Sequence, residues 1–214
     1  MPYRPDWTGR PLEKVSTVAD SLNSQQRSTL QNYVGDMLAL EKHLLEAVKH
    51  QREDENANRY AEAINLIGKI EGVLRGHVEE TEQHLGALGG DPGSGIKAAI
   101  STVAGIAAGV IDRVRPVNTV SKMLRDDYAG LGLDAIGYTM LHTTGLALKS
   151  AATADLALRH LTDLSPLIVE ISEVIPLVVA RELADDGEAV DSTVGPEAVR
   201  NTQTAWKNEV VRNH

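Results

Sequence analysis

The chain has 214 residues, 42% of them hydrophobic and 24% charged, the composition of one soluble globular domain with tails. Its net charge of -9 argues against a nucleic-acid binder, which needs a basic face to neutralise phosphates, and no Lys/Arg cluster offsets that balance. With no cysteine, disulfides, thiolate metal sites and cysteine nucleophiles are excluded, and with no phenylalanine the core falls to Leu, Ile, Val and Ala, as helix packing prefers.

Residues 1–22 carry Pro2, Pro5, Gly9 and Pro11 and predict an extended arm with a short helix from about Leu12 to Leu22. No apolar run there could serve as a signal peptide, so a cytoplasmic protein is expected. A first long helix is predicted from about Ser24 to Gln51, capped by Asn23 or Ser24, with Leu30, Val34, Met37, Leu44 and Val48 on its inner face. Glu41 interrupts that face between Met37 and Leu44. The polar stretch from Arg52 to Asn58 ends the helix.

A second helix is predicted from about Arg59 to Leu88, stopped by Gly89-Gly90-Asp91-Pro92-Gly93. Its seam reads Ile67, Ile70, Leu74, His77, Thr81, His84 and Leu88, so the inward positions turn polar toward the C-terminal end. The crossover that follows, residues 94–115, contains an apolar stretch from Ile96 to Ile111 with Gly105 and Gly109 at GxxxG spacing. Its 16 residues fall short of the roughly 20 needed to span a bilayer. It is expected to lie close against the bundle, its glycines permitting near backbone approach. Gly93-Ser94-Gly95 reads as a plain helix start rather than an anion site.

A third helix, from about Thr119 to Leu148, admits two registers. One turns Val120, Leu124, Asp127, Leu131, Asp134, Tyr138, Leu141 and Gly145 inward; a shift of one residue puts Tyr128 and Ala135 inside and both aspartates on the flank. A short break near Lys149 leads to a fourth helix, from about Ala154 to Leu183, with Leu156, His160, Leu167, Ile171 and Val174 as its seam. Pro166 and Pro176 are expected to kink it. Residues 185–214 form a polar tail in which a short helix is predicted around Val199 to Val210, with Pro196 at its first position. The whole reads as an all-α bundle, residues 23–184, of four long helices with one long connection between the second and third.

Polar residues on inward seams must be hydrogen-bonded or bound to metal. Glu41, His77, His84, Asp127 and His160 are therefore candidate metal ligands, with Glu80 added as the acid one turn from both His77 and His84, and a carboxylate and imidazole set without thiolates suits iron, manganese or zinc. His142 and His160 also fit core histidines with a backbone or side-chain acceptor.

The strings Asp36-Met-Leu-Ala-Leu-Glu41-Lys-His-Leu-Leu-Glu46 and His77-Val-Glu-Glu80-Thr-Glu-Gln-His84-Leu resemble the first two helices of the YciF-like bacterial stress proteins, a branch of the ferritin-like superfamily. The likeness covers about a quarter of the chain by its motifs and the rest by helix order alone. It implies a ferritin-like four-helix bundle, up-down with a long crossover, in which Glu41, Glu80 and His84 form the first half of a two-metal site for iron or manganese. Such centres take a further Glu from the third helix and Glu-x-x-His from the fourth; here stand Asp127 and Asp134, and His160 with Asp163 in reversed order. If the first turn centres near Glu55, Glu41 lies level with about Ile70, roughly 15 Å short of Glu80, and Glu71 is the facing acid. If it centres nearer Tyr60, the two motifs meet.

Three readings follow. The first is a stress-associated bundle protein with a weak or degenerate metal site, acting as a homodimer or larger homo-oligomer through its surfaces rather than as an enzyme. The second is a di-iron or di-manganese oxidase or peroxide-consuming protein using Glu41, Glu80, His84, Asp127 and His160, with Tyr138 or Tyr128 as a redox-active phenol. The third is a peripheral membrane helper using the Ile96 to Ile111 segment. No GxGxxG, Walker-type, His-Glu-x-x-His or G-x-S-x-G string supports nucleotide-binding or hydrolase chemistry.

Overall fold

The structure, a computed structural model, describes residues 22–92, 119–187, 189–191 and 193–209, and those residues are helical and loop throughout. Four long helices form the bundle: α1 (Ser24–Glu53), α2 (Ala61–Ala87), α3 (Val120–Ala147) and α4 (Ala151–Asp185). A fifth, α5 (Val194–Glu209), follows. The arm and the Ile96 to Ile111 stretch lie outside the described residues. Among the described residues no helix is long and apolar enough to cross a membrane.

Local chemistry sets the helix ends. Asn23 accepts from the Gln26 backbone N–H while the Gln26 side chain accepts from that of Asn23, a reciprocal capping box that starts α1. Asp54 closes α1, and a 3-10 turn at Ala57–Arg59 swings the chain into α2, with Ala57 and Tyr60 buried beneath it. At the far end Gly89 takes φ +79°, and the Gly90 N–H returns to the Leu85 carbonyl. The same wrap ends α3, where Lys149 occupies the left-handed region at φ 59° and the Ser150 N–H reaches the Gly145 carbonyl.

Contacts between helices fix their directions. Gln31 donates to the Leu88 carbonyl and Arg52 pairs with Glu71, so α1 and α2 are antiparallel. The turn is thus centred near Tyr60, the arrangement that brings Glu41 opposite the His77 string, and Glu71 is taken up by Arg52 and Arg75 instead. Glu41 meets Tyr138 while Gln51 meets Asp127, making α3 antiparallel to α1 and parallel to α2. Leu88 and Thr119 accordingly stand at opposite ends of the bundle. Helix α4 returns antiparallel to α3 and to α2, tied to the latter by Lys69–Glu170 and Arg159–Glu80.

The core is a continuous cluster of Leu, Ile and Val from all four helices. In α3 the buried set is Val120, Leu124, Asp127, Leu131, Asp134, Tyr138, Leu141 and Gly145, the first of the two sequence registers. Gly145 lies so close to α4 that a Cβ there would sit 2.6 Å from the Ala154 backbone nitrogen. Helix α4 continues as one helix past both prolines. The tail differs from expectation: α5 begins earlier, at Val194, with Pro196 as its third residue, where a missing N–H costs nothing. It packs antiparallel along α4, Gln203 donating to Glu173 and Gly195 lying against Leu177.

Candidate metal centre

Each bundle helix sends polar side chains to one level of the core. Glu41 comes from α1, His77 and Thr81 from α2, Asp134 and Tyr138 from α3, and His160 from α4, all of them buried. One ligand atom from each of Glu41, His77 and His160 can be chosen so that all lie within 4.8 Å of one another. The 3-and-4 spacing of His77 with Thr81 and of Asp134 with Tyr138 stacks each pair on one helix face.

The two imidazoles lie parallel, their centroids 3.7 Å apart. Both turn Nδ1 inward: His77 Nδ1 is 3.2 Å and His160 Nδ1 3.9 Å from Glu41 Oε1. Both turn Nε2 outward, His77 to Asp163 and His160 to Glu80, at 3.4 Å each. A near two-fold arrangement results, in which His77-x-x-Glu80 on α2 and His160-x-x-Asp163 on α4 each reach the acid of the other. The phenol of Tyr138 donates to Glu41 Oε1 at 2.5 Å and lies 2.7 Å from His160 Nδ1. Thr81 donates to Glu41 Oε2 at 3.2 Å.

Proton accounting within this cluster is incomplete. Tyr138 has one proton for Glu41 and His160 together. If it goes to Glu41, His160 must donate from Nδ1 and then presents a bare Nε2 to the Glu80 carboxylate unless the ring is charged. Charging is opposed: burial, then the stacked His77 ring, lowers the His160 pKa to about 4. His77 Nδ1, although close to Glu41, makes no hydrogen bond among the described residues, and neither do the two oxygens of Asp134. Burial first, and the Glu41 charge second, push the Asp134 carboxyl well above the usual range.

A cation at the Nδ1 pair would settle the imidazole part of this accounting. Held by Nδ1 of both rings and Glu41 Oε1, it would leave each ring its proton on Nε2, to donate to Asp163 or Glu80. Metal-bound histidines ordinarily do so. Two imidazoles and one carboxylate are the donor set of iron, manganese and zinc sites. By residue type and spacing the three could hold one such ion, the stacked rings turning out of their parallel planes to aim both lone pairs at it.

Three of the six sequence candidates are gathered here and three are not. Glu80 stands outside the imidazoles, held by Arg159, whose hydrogen bond lowers its pKa. His84 is bonded to Thr153 at 2.8 Å, seven residues beyond His77 and about 10 Å further along the helix. Asp127 pairs with Gln51 at 2.8 Å, at another level of the bundle. His142 bonds the Ala154 carbonyl at 2.8 Å, as a core histidine does. Tyr138 stands at the centre of the cluster rather than beside it. Its place could have been found from its i+4 spacing to Asp134, once the inward register of α3 was chosen. No protein-family model matches the chain, and no curated protein matches it.

Proposed function

We propose that this chain is a ferritin-like bundle protein, of the kind represented by the YciF-like stress proteins, that holds one transition-metal ion, iron or manganese, on Glu41, His77 and His160. The observation that carries the reading is the paired orientation of the two imidazoles, Nδ1 toward Glu41 and Nε2 toward Asp163 and Glu80. The parallel directions of α2 and α3, with the chain changing ends between Leu88 and Thr119, support the ferritin-like assignment. When bound, the ion would act as a Lewis acid or as a redox centre in the bundle interior.

A two-metal enzyme has less support. The residues it would need, Glu80, His84 and Asp127, are engaged by Arg159, Thr153 and Gln51. The protein's action is therefore assigned to its surfaces and assembly. Leu133, Ile136 and Met140 form an exposed apolar stripe on α3, with Leu158 exposed on α4, and these suit a homodimer or larger homo-oligomer.

One observation favours a metal-free reading: Tyr138 and Thr81 already donate to Glu41, so the cluster could be a polar core that fixes helix register. Calorimetric titration of the metal-stripped chain with Mn²⁺ separates the two. One binding event that disappears in His77→Ala and His160→Ala supports the site. Heat absent from the wild type, at concentrations where the protein is folded, leaves only the register role.

A further inference from the structure

The geometry points to Tyr138 as a fourth metal donor, binding ferric iron through its phenolate oxygen, an inference that rests on the metal-site reading above. The phenol oxygen lies 2.5 Å from Glu41 Oε1 and 2.7 Å from His160 Nδ1, nearer to both than the two lie to each other at 3.9 Å. An ion bonded to both atoms is therefore within reach of the phenol oxygen. Two further observations mark this place: His77 Nδ1, buried, unbonded among the described residues and 3.2 Å from Glu41 Oε1, and Asp134, fully buried with both oxygens unbonded, one turn before Tyr138 on α3.

Ion binding changes what Tyr138 can do with its proton. Glu41 Oε1 is its acceptor and His160 Nδ1 its neighbour, and an ion bonded to both would face the phenol oxygen and repel its proton. A phenol left protonated would hold its donor beside a cation, with Thr81 Oγ1 at 3.4 Å as its remaining partner, and that is costly. Coordination removes that cost: the O–H bond breaks, the proton leaves to bulk water, and the oxygen's electron pair forms the bond to iron with no change in oxidation state. A trivalent ion with two neutral imidazoles and the anions of Glu41 and Tyr138 retains one positive charge, and Asp134 is placed to balance it. Divalent manganese, with less charge to offset, gains less from the phenolate.

The test uses the full chain loaded with ferric citrate, freed of excess iron by gel filtration, then examined for iron content and visible absorption. The expected result is bound iron with a phenolate-to-iron charge-transfer band, and loss of that band in Tyr138→Phe with iron retained. Tyr128→Phe, on the same helix, should keep the band. Iron bound without a visible band, or a band that persists in Tyr138→Phe, overturns the assignment while leaving the Glu41, His77 and His160 site intact. No iron bound and no heat with Mn²⁺ overturns both. If Tyr138→Phe fails to fold, resonance Raman on the loaded wild type decides: tyrosinate ring modes under the band support the donor, and their absence removes it.

Discussion

His77 and His84 lie two turns apart on one face of α2, yet only His77 meets Glu41. Metal uptake should therefore be abolished in His77→Ala and unchanged in His84→Ala, measured as ion bound per folded chain. The second variant loses only the Thr153 hydrogen bond, at a cost of about 1 kcal/mol in urea unfolding. Asp127 gives a pH signature of its own. Burial raises its pKa from 3.8 to about 7 in the fold, so an unfolded chain releases this proton several units earlier. Its contribution to stability is present below about pH 4 and is lost as pH rises toward 7. Asp127→Asn still accepts from Gln51 and has no proton to lose. Its stability relative to wild type should rise across that interval by up to about 4 kcal/mol, three pKa units at about 1.4 each, and then level off. Denaturant midpoints at several pH values check this, and a flat difference would contradict it.

At the scale of the element, the inner faces of all four helices were legible because apolar spacing and polar interruptions share one period. Glu41 and His77 stood out as exceptions on otherwise apolar seams. What the seams could not supply was the axial offset between helices, which depends on how many residues the first turn consumes. The 3-10 turn at Ala57–Arg59 moves its centre to Tyr60, and only that offset selects His77 over Glu71 and His84. Helix α3 was ambiguous for a physical reason: its inward seam carries Asp127 and Asp134 while Leu133, Ile136 and Met140 face outward, so apolar spacing marks no single face. Its ends offer a direct test. Lys149 holds a left-handed conformation that costs an L-residue about 1 kcal/mol, so Lys149→Gly should raise stability by about that amount. Gly145→Ala should lower it by about 2 kcal/mol or more, since the added methyl meets the α4 backbone rather than a movable side chain.

For the molecule as a whole, the outward stripe of α3 and the buried centre are separate features, and they should respond separately. Light scattering of the wild type is expected to give at least twice the 23.0 kDa chain mass. A variant carrying Ile136→Lys and Met140→Lys should fall to the single-chain mass while keeping its metal. A wild-type monomer at micromolar concentration would remove the assembly proposal without touching the site. The centre itself draws on all four helices, so its ligands are assembled by the bundle and scattered in the unfolded chain. Metal binding should therefore raise the thermal midpoint, and the rise should continue with the logarithm of free ion concentration beyond saturation.

The most direct measurement is the number of iron or manganese ions per folded chain, by plasma mass spectrometry, on protein produced with both metals supplied. One ion per chain in the wild type, and none in His77→Ala or His160→Ala, is the predicted result. Two ions per chain would require a second ligand set and contradict the single-ion centre. None, with a helical spectrum intact, would leave Glu41, His77 and His160 as a polar core without metal.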